Sequence, residues 1–302
     1  MCRRIIAGAQ GRSPYTTAPG RRKIRRMSTR QLTLDYDGEQ ITFTVEGAVT
    51  RGAAEVLLDQ DDNLIAGRPW ADAGFVVAPF LTPEEYRRLA ESLRLTLRAR
   101  IAATGLAVPA DFALDRYHEV VTTDEAHTAV SARGPWCHPV GDLGVPVETI
   151  SQRVSEILGV RVSTTPPHAE FPEHFCYRVV RPRSRDNNPP HRDVWLDRLR
   201  HAVNIYVPFA GSTPRSSLPL VRGSHRWKES EIERTADGAT VNGMTFTVPS
   251  VVGAAYPLTL ERPNPGLNDV LVFSPYLIHG GAFNQQTDAT RVSLEMRFWR
   301  VR

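Results

Sequence analysis

The sequence predicts a mainly β protein: a double-stranded β-helix, or jelly roll, of two antiparallel sheets braced by helices on one side. Two observations favour this fold. Helical patterns lie in the first half of the 302 residues, and many short strand-like stretches follow them. The last stretch, residues 290–299, alternates strictly between polar and apolar side chains, as expected for a strand that separates a polar cavity from a core.

The first structured segment is predicted to be a hairpin. Residues 32–36 and 40–45 alternate on either side of Asp37 and Gly38, which is a strong turn signal. Residues 46–72 are mixed and polar, and we interpret them as a connector. Residues 75–80 are apolar and predict a short buried strand.

Two helices are predicted next. The first begins after Thr82, where Pro83 occupies the first turn and Glu85 completes a capping box. Apolar residues then recur at helical spacing until Gly105 ends the run. The second helix is predicted over residues 147–158. The recurring apolar residues of the first helix are Tyr86, Leu89, Leu93, Leu97 and Ile101.

The second half of the chain reads mainly as strands. Residues 106–146, between the helices, are irregular and are typical of a loop that covers a substrate. Residues 228–265 are polar with weak strand signals, and we interpret them as an insertion beside the mouth of the site. The predicted strands are residues 173–181, 201–209, 270–273 and 290–299.

The charge distribution separates the N-terminus from the rest of the chain. Residues 1–26 hold eight basic residues and no acid, and removing them takes the formal net charge from +4 to −4. The mildly acidic remainder argues against nucleic-acid binding. We predict a disordered basic leader over residues 1–30, with an organellar targeting peptide as the alternative. A hairpin and connector (31–72) and the double-stranded β-helix domain (73–302) would follow.

Cysteine usage and hydropathy bear on the compartment. Cys2, Cys137 and Cys176 show no paired spacing, which argues against a disulfide framework or a zinc site and favours a reducing, cytoplasmic location. The longest apolar run, residues 75–81, is much too short to span a bilayer. The expected partner is a small molecule rather than a membrane or a nucleic acid, and the oligomeric state is not predicted.

A candidate metal site begins at His191 and Asp193. In an extended chain residues i and i+2 point to the same face, so both side chains can reach one ion. His279 is the candidate third ligand, completing a facial triad that leaves open positions on non-haem iron(II). His225, in a Gly-Ser turn, is its main competitor. His168 also precedes an acid by two positions, but it lies in proline-rich loop composition.

The order of these motifs resembles the phytanoyl-CoA dioxygenase family of Fe(II)/2-oxoglutarate oxygenases. The resemblance covers roughly residues 73–300, and the order of four motifs is more specific than any one of them. The motifs are the apolar stretch 74–85, His191 with Asp193, the stretch 218–227, and residues 268–273 followed by His279, Arg291 and Ser293.

The resemblance implies a cupin-like jelly roll with an Fe(II) ion held by His191, Asp193 and His279. It also implies 2-oxoglutarate and O2 as cosubstrates. Arg291 would bind the far carboxylate of 2-oxoglutarate, because a planar guanidinium presents two parallel donors. The hydroxyl of Ser293 would add a further donor.

Other positions refine this expectation. Asn204 and Tyr206 share one face of a predicted strand, and we expect them to face inward near the cosubstrate. Relatives often carry serine two positions after the distal histidine, where this sequence has Gly281, so Ser293, Asn204 or a tyrosine would have to compensate. Asp193 is retained, which argues against a halogenating variant, where a small residue frees a site for halide.

The predicted activity is oxidation, expected to be hydroxylation, of a substrate C–H bond with release of succinate and CO2. The candidate lining is polar and lacks a long apolar stripe, which favours a polar small molecule of specialised metabolism over a fatty acyl-CoA. Two alternatives stay open. One is a cupin-type metalloprotein with chemistry that needs no oxoglutarate; the other is a catalytically inert member acting as a binding protein. The candidate lining residues are Arg178, Asn204, Tyr206, Glu295 and Arg297.

Overall fold

The computed structural model describes residues 27–301 except 61, 134–135, 168–173 and 185–187. Residues 1–26 of the predicted leader and His168 lie outside the described residues. The described chain forms thirteen β-strands and four α-helices. No helix in this part of the chain is long and apolar enough to cross a membrane.

The helices precede most of the strands, as predicted. The helices are α1 (Pro83–Ala102), α2 (Tyr117–Val120), α3 (Asp124–Ser131) and α4 (Val147–Leu158). The strands are β1 (Met27–Tyr36), β2 (Glu39–Thr50), β3 (Phe75–Pro79), β4 (Cys137–Pro139), β5 (Val162–Ser163), β6 (His174–Val180), β7 (Ala202–Ala210), β8 (Ile232–Thr235), β9 (Ala239–Val241), β10 (Met244–Phe246), β11 (Val251–Ala254), β12 (Asp269–Phe273) and β13 (Arg291–Arg300).

Among the described residues, seven strands form one antiparallel sheet in the order β3-β12-β7-β13-β6-β4, with β5 paired to β13. β13 lies at its centre, hydrogen-bonded to β7 on one side and β6 on the other. β12 connects β7 to β3. This sheet contains the strands predicted in the second half of the chain, and together with the second sheet it confirms the jelly roll.

The second sheet has the order β10-β9-β2-β8-β11, and β1 pairs with β2. The N-terminal hairpin is therefore one wall of the jelly roll, and β1 begins at Met27, inside the predicted leader. The stretch 228–265 is likewise not an insertion, because it contributes β8 to β11 to this sheet. The predicted division of the chain near residue 72 stays a prediction.

The large sheet has one apolar and one polar face. Val203, Ile205 and Val207 of β7 are fully buried in the main core, which also contains the inner faces of α1 and α4. Asn204 and Tyr206 point the other way, because successive strand residues face opposite sides. The same alternation on β13 turns its polar residues away from the helices, so that the interior of the jelly roll is polar.

The helices pack as their periodicity predicts. Leu89, Leu93, Leu97 and Ile101 of α1 are all buried, and each contributes roughly 1.5–3 kcal/mol by burial. α4 ends at Leu158, where Gly159 adopts the left-handed conformation with φ +63°.

The N-terminus of α1 is tied to α4 through Glu85. The Thr82 hydroxyl accepts from Glu85 N–H at 3.3 Å, and Glu85 accepts from Thr82 N–H at 2.8 Å, as predicted for a capping box. Arg153 of α4 donates to both oxygens of Glu85, at 2.6 and 2.8 Å. The Arg153 hydrogen bonds, opposed by partial burial, lower the pKa of Glu85 to about 2.

We expect Glu85→Gln to lower the free energy of unfolding by about 1–2 kcal/mol at pH 7, because it removes the charge of the bidentate ion pair with Arg153, while the glutamine amide oxygen can still complete the capping box. The pKa of Glu85 is depressed in the folded state, so this stabilisation is present above about pH 4.3, the ordinary carboxyl pKa, and is lost as the pH falls towards about 2. Urea denaturation at pH 7 and pH 3 measures it. Glu91→Gln, which removes an exposed pair with Arg94, is the control. Equal losses at both pH values for Glu85→Gln would contradict the assignment.

Candidate metal and cosubstrate site

The two candidate histidine ligands lie on adjacent backbone segments. His191 N–H donates to His279 O at 2.8 Å, and His279 N–H donates to His191 O at 2.9 Å, forming an antiparallel bridge. Residues paired in this way project side chains to the same face. The two imidazole rings accordingly have their centroids 4.4 Å apart.

Backbone carbonyls orient both imidazoles. Nδ1 of His191 lies 2.6 Å from Pro189 O, and Nδ1 of His279 lies 2.9 Å from Leu277 O. A carbonyl only accepts, so each Nδ1 carries the proton and each Nε2 is left as the metal-binding atom. Burial, and then the neighbouring His191, lower the pKa of His279 to about 4, so its ring is neutral at pH 7.

Asp193 supplies the carboxylate from a short 3-10 turn, Asp193–Trp195, rather than from the extended chain expected at this motif. The extended backbone is limited here to the bridge at His191. Oδ1 of Asp193 lies 3.3 Å from His191 Nε2 and 3.8 Å from His279 Nε2. One ligand atom from each of the three residues lies within 4.8 Å of the other two. Two neutral imidazoles and one carboxylate on one side fit Fe(II) with open positions.

The second oxygen of Asp193 is fixed by the protein. Asn204 Nδ2 donates to Oδ2 at 2.9 Å, and Arg297 donates to it through Nη2 at 2.9 Å and Nε at 3.2 Å. Burial would raise the pKa of Asp193, but the adjacent Arg297 guanidinium opposes it, and the pKa lies well below its usual range. Asp193 is therefore ionised, with Oδ1 as its metal-facing oxygen.

Arg192 lies between the candidate ligands His191 and Asp193 in the sequence, and its side chain ties this segment to residues 224–229. Its side chain is fully buried, pairs with Glu229 and donates to the Ser224 carbonyl. Glu229 also accepts from Trp195 Nε1 at 3.0 Å. Arg192 and Glu229 lie 37 residues apart in the sequence, and nothing in their local spacing indicates that they meet.

A small cavity adjoins the triad. Its lining includes His191, His279, Arg291 and Glu295. Arg291 is 2 % exposed, and its Nε and Nη1 have no hydrogen-bond partner among the described residues. The Ser293 hydroxyl, on the same face of β13, is also buried without a described partner. Unpaired buried donors are costly, so their presence indicates a ligand that accepts hydrogen bonds.

Asn204 and Tyr206 face inward, as predicted. Asn204 contacts Asp193, while its Oδ1 stays without a partner among the described residues. The Tyr206 ring centroid lies 5.9 Å from Cζ of Arg291, and its hydroxyl lies 3.0 Å from Ser212 Oγ. The structure thus places Asn204 against the candidate ligand Asp193 and Tyr206 beside Arg291. Their direct contact with the cosubstrate stays a prediction.

Arg178 of β6 and Arg181, which directly follows this strand, have different partners. Arg178 lines the small cavity, where its Nε donates to Glu295 at 3.1 Å. Arg181 instead pairs with Asp124 of α3 at 2.5 Å. Among the predicted lining residues, Arg178 and Glu295 therefore form an ion pair at the cavity wall.

Tyr36 of the hairpin explains the glycine at position 281. The Tyr36 hydroxyl donates to the Gly281 carbonyl, and a Cβ at Gly281 would lie 3.0 Å from Tyr36 Oη and 3.2 Å from Pro190 Cγ. Gly281 also has φ +63°. The hairpin thus crowds this position, so that a serine here would have to displace its neighbours slightly and adopt a strained backbone conformation.

We expect Gly281→Ser to lower the free energy of unfolding by about 1–3 kcal/mol and to leave affinity for 2-oxoglutarate unimproved. Urea denaturation and cosubstrate titration measure the two effects. Gly67→Ser is the control, because Gly67 has φ +72° but open space around its Cβ position. Equal destabilisation by both variants would show that Tyr36 does not exclude the side chain.

His225, the competing candidate for the third metal ligand, lies outside the metal-binding group. His225 lies in a 3-10 turn, with Nε2 2.9 Å from the Ala71 carbonyl, and it is not part of the metal-binding group found in the described chain.

Cys137 and Cys176 are free thiols on paired strands, with sulfur atoms 3.6 Å apart. Their separation in the sequence gave no indication of this contact.

The sequence was compared with protein families and with curated proteins. A family model described as phytanoyl-CoA dioxygenase (PhyH) matches residues 70–293. The comparison with curated proteins gave no match.

Several solved structures are similar to the chain. EctD from S. alaskensis, in its apo form, is 15 % identical, covers 78 % of each chain and has a TM-score of 0.44. AviO1 from Streptomyces viridochromogenes Tue57 is 17 % identical over 82 % of this chain and 96 % of its own, with a TM-score of 0.40. The nickel complex of the non-haem monooxygenase ThoJ is 18 % identical over 78 % and 77 %, with a TM-score of 0.39.

The family match covers most of the large sheet and β8 to β11 of the second sheet, but not the hairpin of β1 and β2. It includes His191, Asp193 and His279 and extends to Ser293 at its end. The chain therefore belongs to the phytanoyl-CoA dioxygenase family and is an Fe(II)- and 2-oxoglutarate-dependent dioxygenase.

Proposed function

We propose that this dioxygenase hydroxylates a C–H bond of a polar small molecule of specialised metabolism, in the cytoplasm, with release of succinate and CO2. The observation that supports the site assignment is the set of unpaired, buried donors of Arg291 and Ser293 beside the triad. These donors match the far carboxylate of 2-oxoglutarate in charge and in hydrogen-bonding capacity.

Each site residue has a distinct task in this proposal. His191, Asp193 and His279 would hold the ion through two Nε2 atoms and Oδ1. Asn204 and Arg297 keep the Asp193 carboxylate in one orientation by binding Oδ2. Bound Fe(II) supplies the O2 activation that is coupled to decarboxylation of 2-oxoglutarate.

The triad is largely buried. His191, Asp193 and His279 are each 6 % exposed or less. A water-poor site strengthens the ionic contacts of Arg291 with a carboxylate and protects reactive species from side reactions. The chain's contribution is therefore to bind, orient and shield the reactants.

The direct test is anaerobic addition of Fe(II) and then 2-oxoglutarate, followed by visible spectroscopy. We expect a weak charge-transfer band that requires both components and is absent in His279→Ala. Succinate formation with candidate polar substrates would then measure turnover.

The same experiment separates the alternatives. Metal binding without a band would favour a cupin-type metalloprotein whose chemistry needs no oxoglutarate. Absence of tight metal binding would favour an inert binding protein and would contradict the proposed function.

A further inference from the structure

Two cysteines face each other at one end of the large sheet. Cys137 of β4 is the direct cross-strand partner of Cys176 of β6, and their sulfur atoms lie 3.6 Å apart. The third cysteine, Cys2, lies outside the described residues. The proposed function uses neither of the paired thiols, so their contact calls for a separate explanation.

The backbone geometry of the pair suits a disulfide bond. Tyr177 N–H donates to Trp136 O at 2.9 Å, directly beside the cysteines. Hydrogen-bonded and non-hydrogen-bonded pairs alternate in an antiparallel ladder, so Cys137 and Cys176 form a non-hydrogen-bonded pair. The Cα atoms of such a pair are about 4.5 Å apart, which lies within the range of about 4.4–6.8 Å found in disulfides.

Only a small movement separates the contact from a bond. An S–S bond is about 2.05 Å long, so the two sulfur atoms would have to approach by about 1.5 Å. Rotation about the two Cα–Cβ bonds can cover this distance while the strands keep their pairing. The sheet therefore holds both sulfurs ready for oxidation.

The two sulfur atoms differ in their electrostatic surroundings. Arg178 and Arg297 both interact electrostatically with Cys176. Neighbouring positive charge favours the thiolate, which is the nucleophilic form of cysteine. The hydrogen bond with Cys176, and then burial, raise the pKa of the Cys137 thiol, so Cys137 keeps its proton. Cys176 is thus the attacking sulfur and Cys137 the resolving thiol.

Small oxidants can reach the pair. Both cysteines are half-buried rather than enclosed in the core. Cys176 also lines a second cavity of about 340 Å³, whose wall includes His191 and Asp193. The pair therefore lies at the wall of a cavity that adjoins the metal-binding group.

We propose that Cys137 and Cys176 are a modification site that forms a reversible disulfide when a hydroperoxide oxidises the dithiol. With hydrogen peroxide, the Cys176 sulfur attacks one oxygen, the O–O bond breaks, and the other oxygen leaves as water after taking a proton. The Cys137 sulfur then attacks the resulting sulfenic acid of Cys176, and the hydroxyl group leaves as a second water with the Cys137 proton. Two thiols and one hydrogen peroxide give one disulfide and two waters.

The bond would change one wall of the second cavity. Oxidation replaces a thiol beside Arg178 by a neutral disulfide and draws the Cys176 sulfur towards β4. In a reducing compartment the dithiol is the resting form, and disulfides that form there are transient and often sense oxidants. This inference is independent of the proposed substrate and of the binding of 2-oxoglutarate.

The test uses full-length Cys2→Ser protein, in which only the pair remains, freed of iron so that peroxide cannot generate radicals. The reduced protein is treated with hydrogen peroxide, alkylated with iodoacetamide and analysed by intact mass and peptide mapping. We expect a loss of about 2 Da, no alkylation, a Cys137–Cys176 crosslink and full reversal by dithiothreitol. The thermal midpoint should rise by about 5 °C or more on oxidation, because the bond closes a long loop.

Two variants separate the roles of the sulfurs. Cys137→Ser keeps the attacking sulfur but cannot close the bond, so dimedone should trap its sulfenic acid. Cys176→Ser should react with peroxide about tenfold or more slowly than Cys137→Ser. An equal or faster reaction of Cys176→Ser would overturn the assignment of the attacking sulfur.

The treated Cys2→Ser protein decides the proposal without relying on these variants. Two alkylatable thiols after peroxide treatment would show that the contact is packing alone. Oxidation of Cys176 to a sulfinic acid, a disulfide between two molecules, or a bond that forms only in urea-unfolded protein would each overturn the proposal as well. The same crosslink in the wild type, with Cys2 left reduced, would support it.

Discussion

Replacement of His279 by alanine is expected to abolish tight Fe(II) binding while leaving the fold intact. The variant loses one of the two Nε2 atoms that face Asp193 Oδ1, and one imidazole with one carboxylate is a poor site for Fe(II). We expect the dissociation constant to rise by more than about 100-fold, beyond the usual effect of changing an outer partner of a ligand. Anaerobic titration with Fe(II) measures it, and circular dichroism checks the fold.

His225→Ala is the matched control for this experiment. His225 is also fully buried, and burial lowers its pKa to about 4, but its Nε2 faces the Ala71 carbonyl. The variant should lose stability and keep its metal stoichiometry. Metal loss in His225→Ala with retention in His279→Ala would reverse the assignment of the distal ligand.

The parts of the fold that follow local rules could be predicted from the sequence. The spacing of Leu89, Leu93 and Leu97 and the capping box at Thr82 require only neighbouring residues, and α1 forms as expected. β8 to β11 were missed as parts of a sheet, because short strands with a half-exposed face have a weak pattern. The pairing of β2 with β8 and β9 is a long-range contact that local spacing does not encode.

The same distinction applies to the site. The triad could be predicted because its residue types occur in a characteristic order along the chain. The hydrogen bonds from Arg297 and Asn204 to Asp193 could not be predicted from the sequence. They depend on the register of β13 and β7, which places Arg297 opposite Asn204. The contact of Tyr36 with Gly281 likewise needs the hairpin to join the second sheet.

Arg291→Ala is expected to abolish binding of 2-oxoglutarate and to leave Fe(II) binding largely unchanged. Loss of one partner of a buried ionic contact costs about 2–5 kcal/mol, or on the order of 30- to 4,000-fold in affinity. Arg291→Lys should restore only part of this loss, since an ammonium lacks the planar pair of donors. Ser293→Ala, which removes one neutral donor, should weaken binding about tenfold or less.

Stability provides an independent readout of the same assignment. Without a cosubstrate, Arg291 is a buried cation whose Nε and Nη1 lack partners among the described residues, which opposes folding. Arg291→Ala should therefore cost little stability in the cosubstrate-free protein. With bound metal, 2-oxoglutarate at 100 times its dissociation constant should stabilise the wild type by about 2.7 kcal/mol and the variant hardly at all. Equal thermal shifts in both proteins would mean that another residue, such as Arg178, binds the far carboxylate.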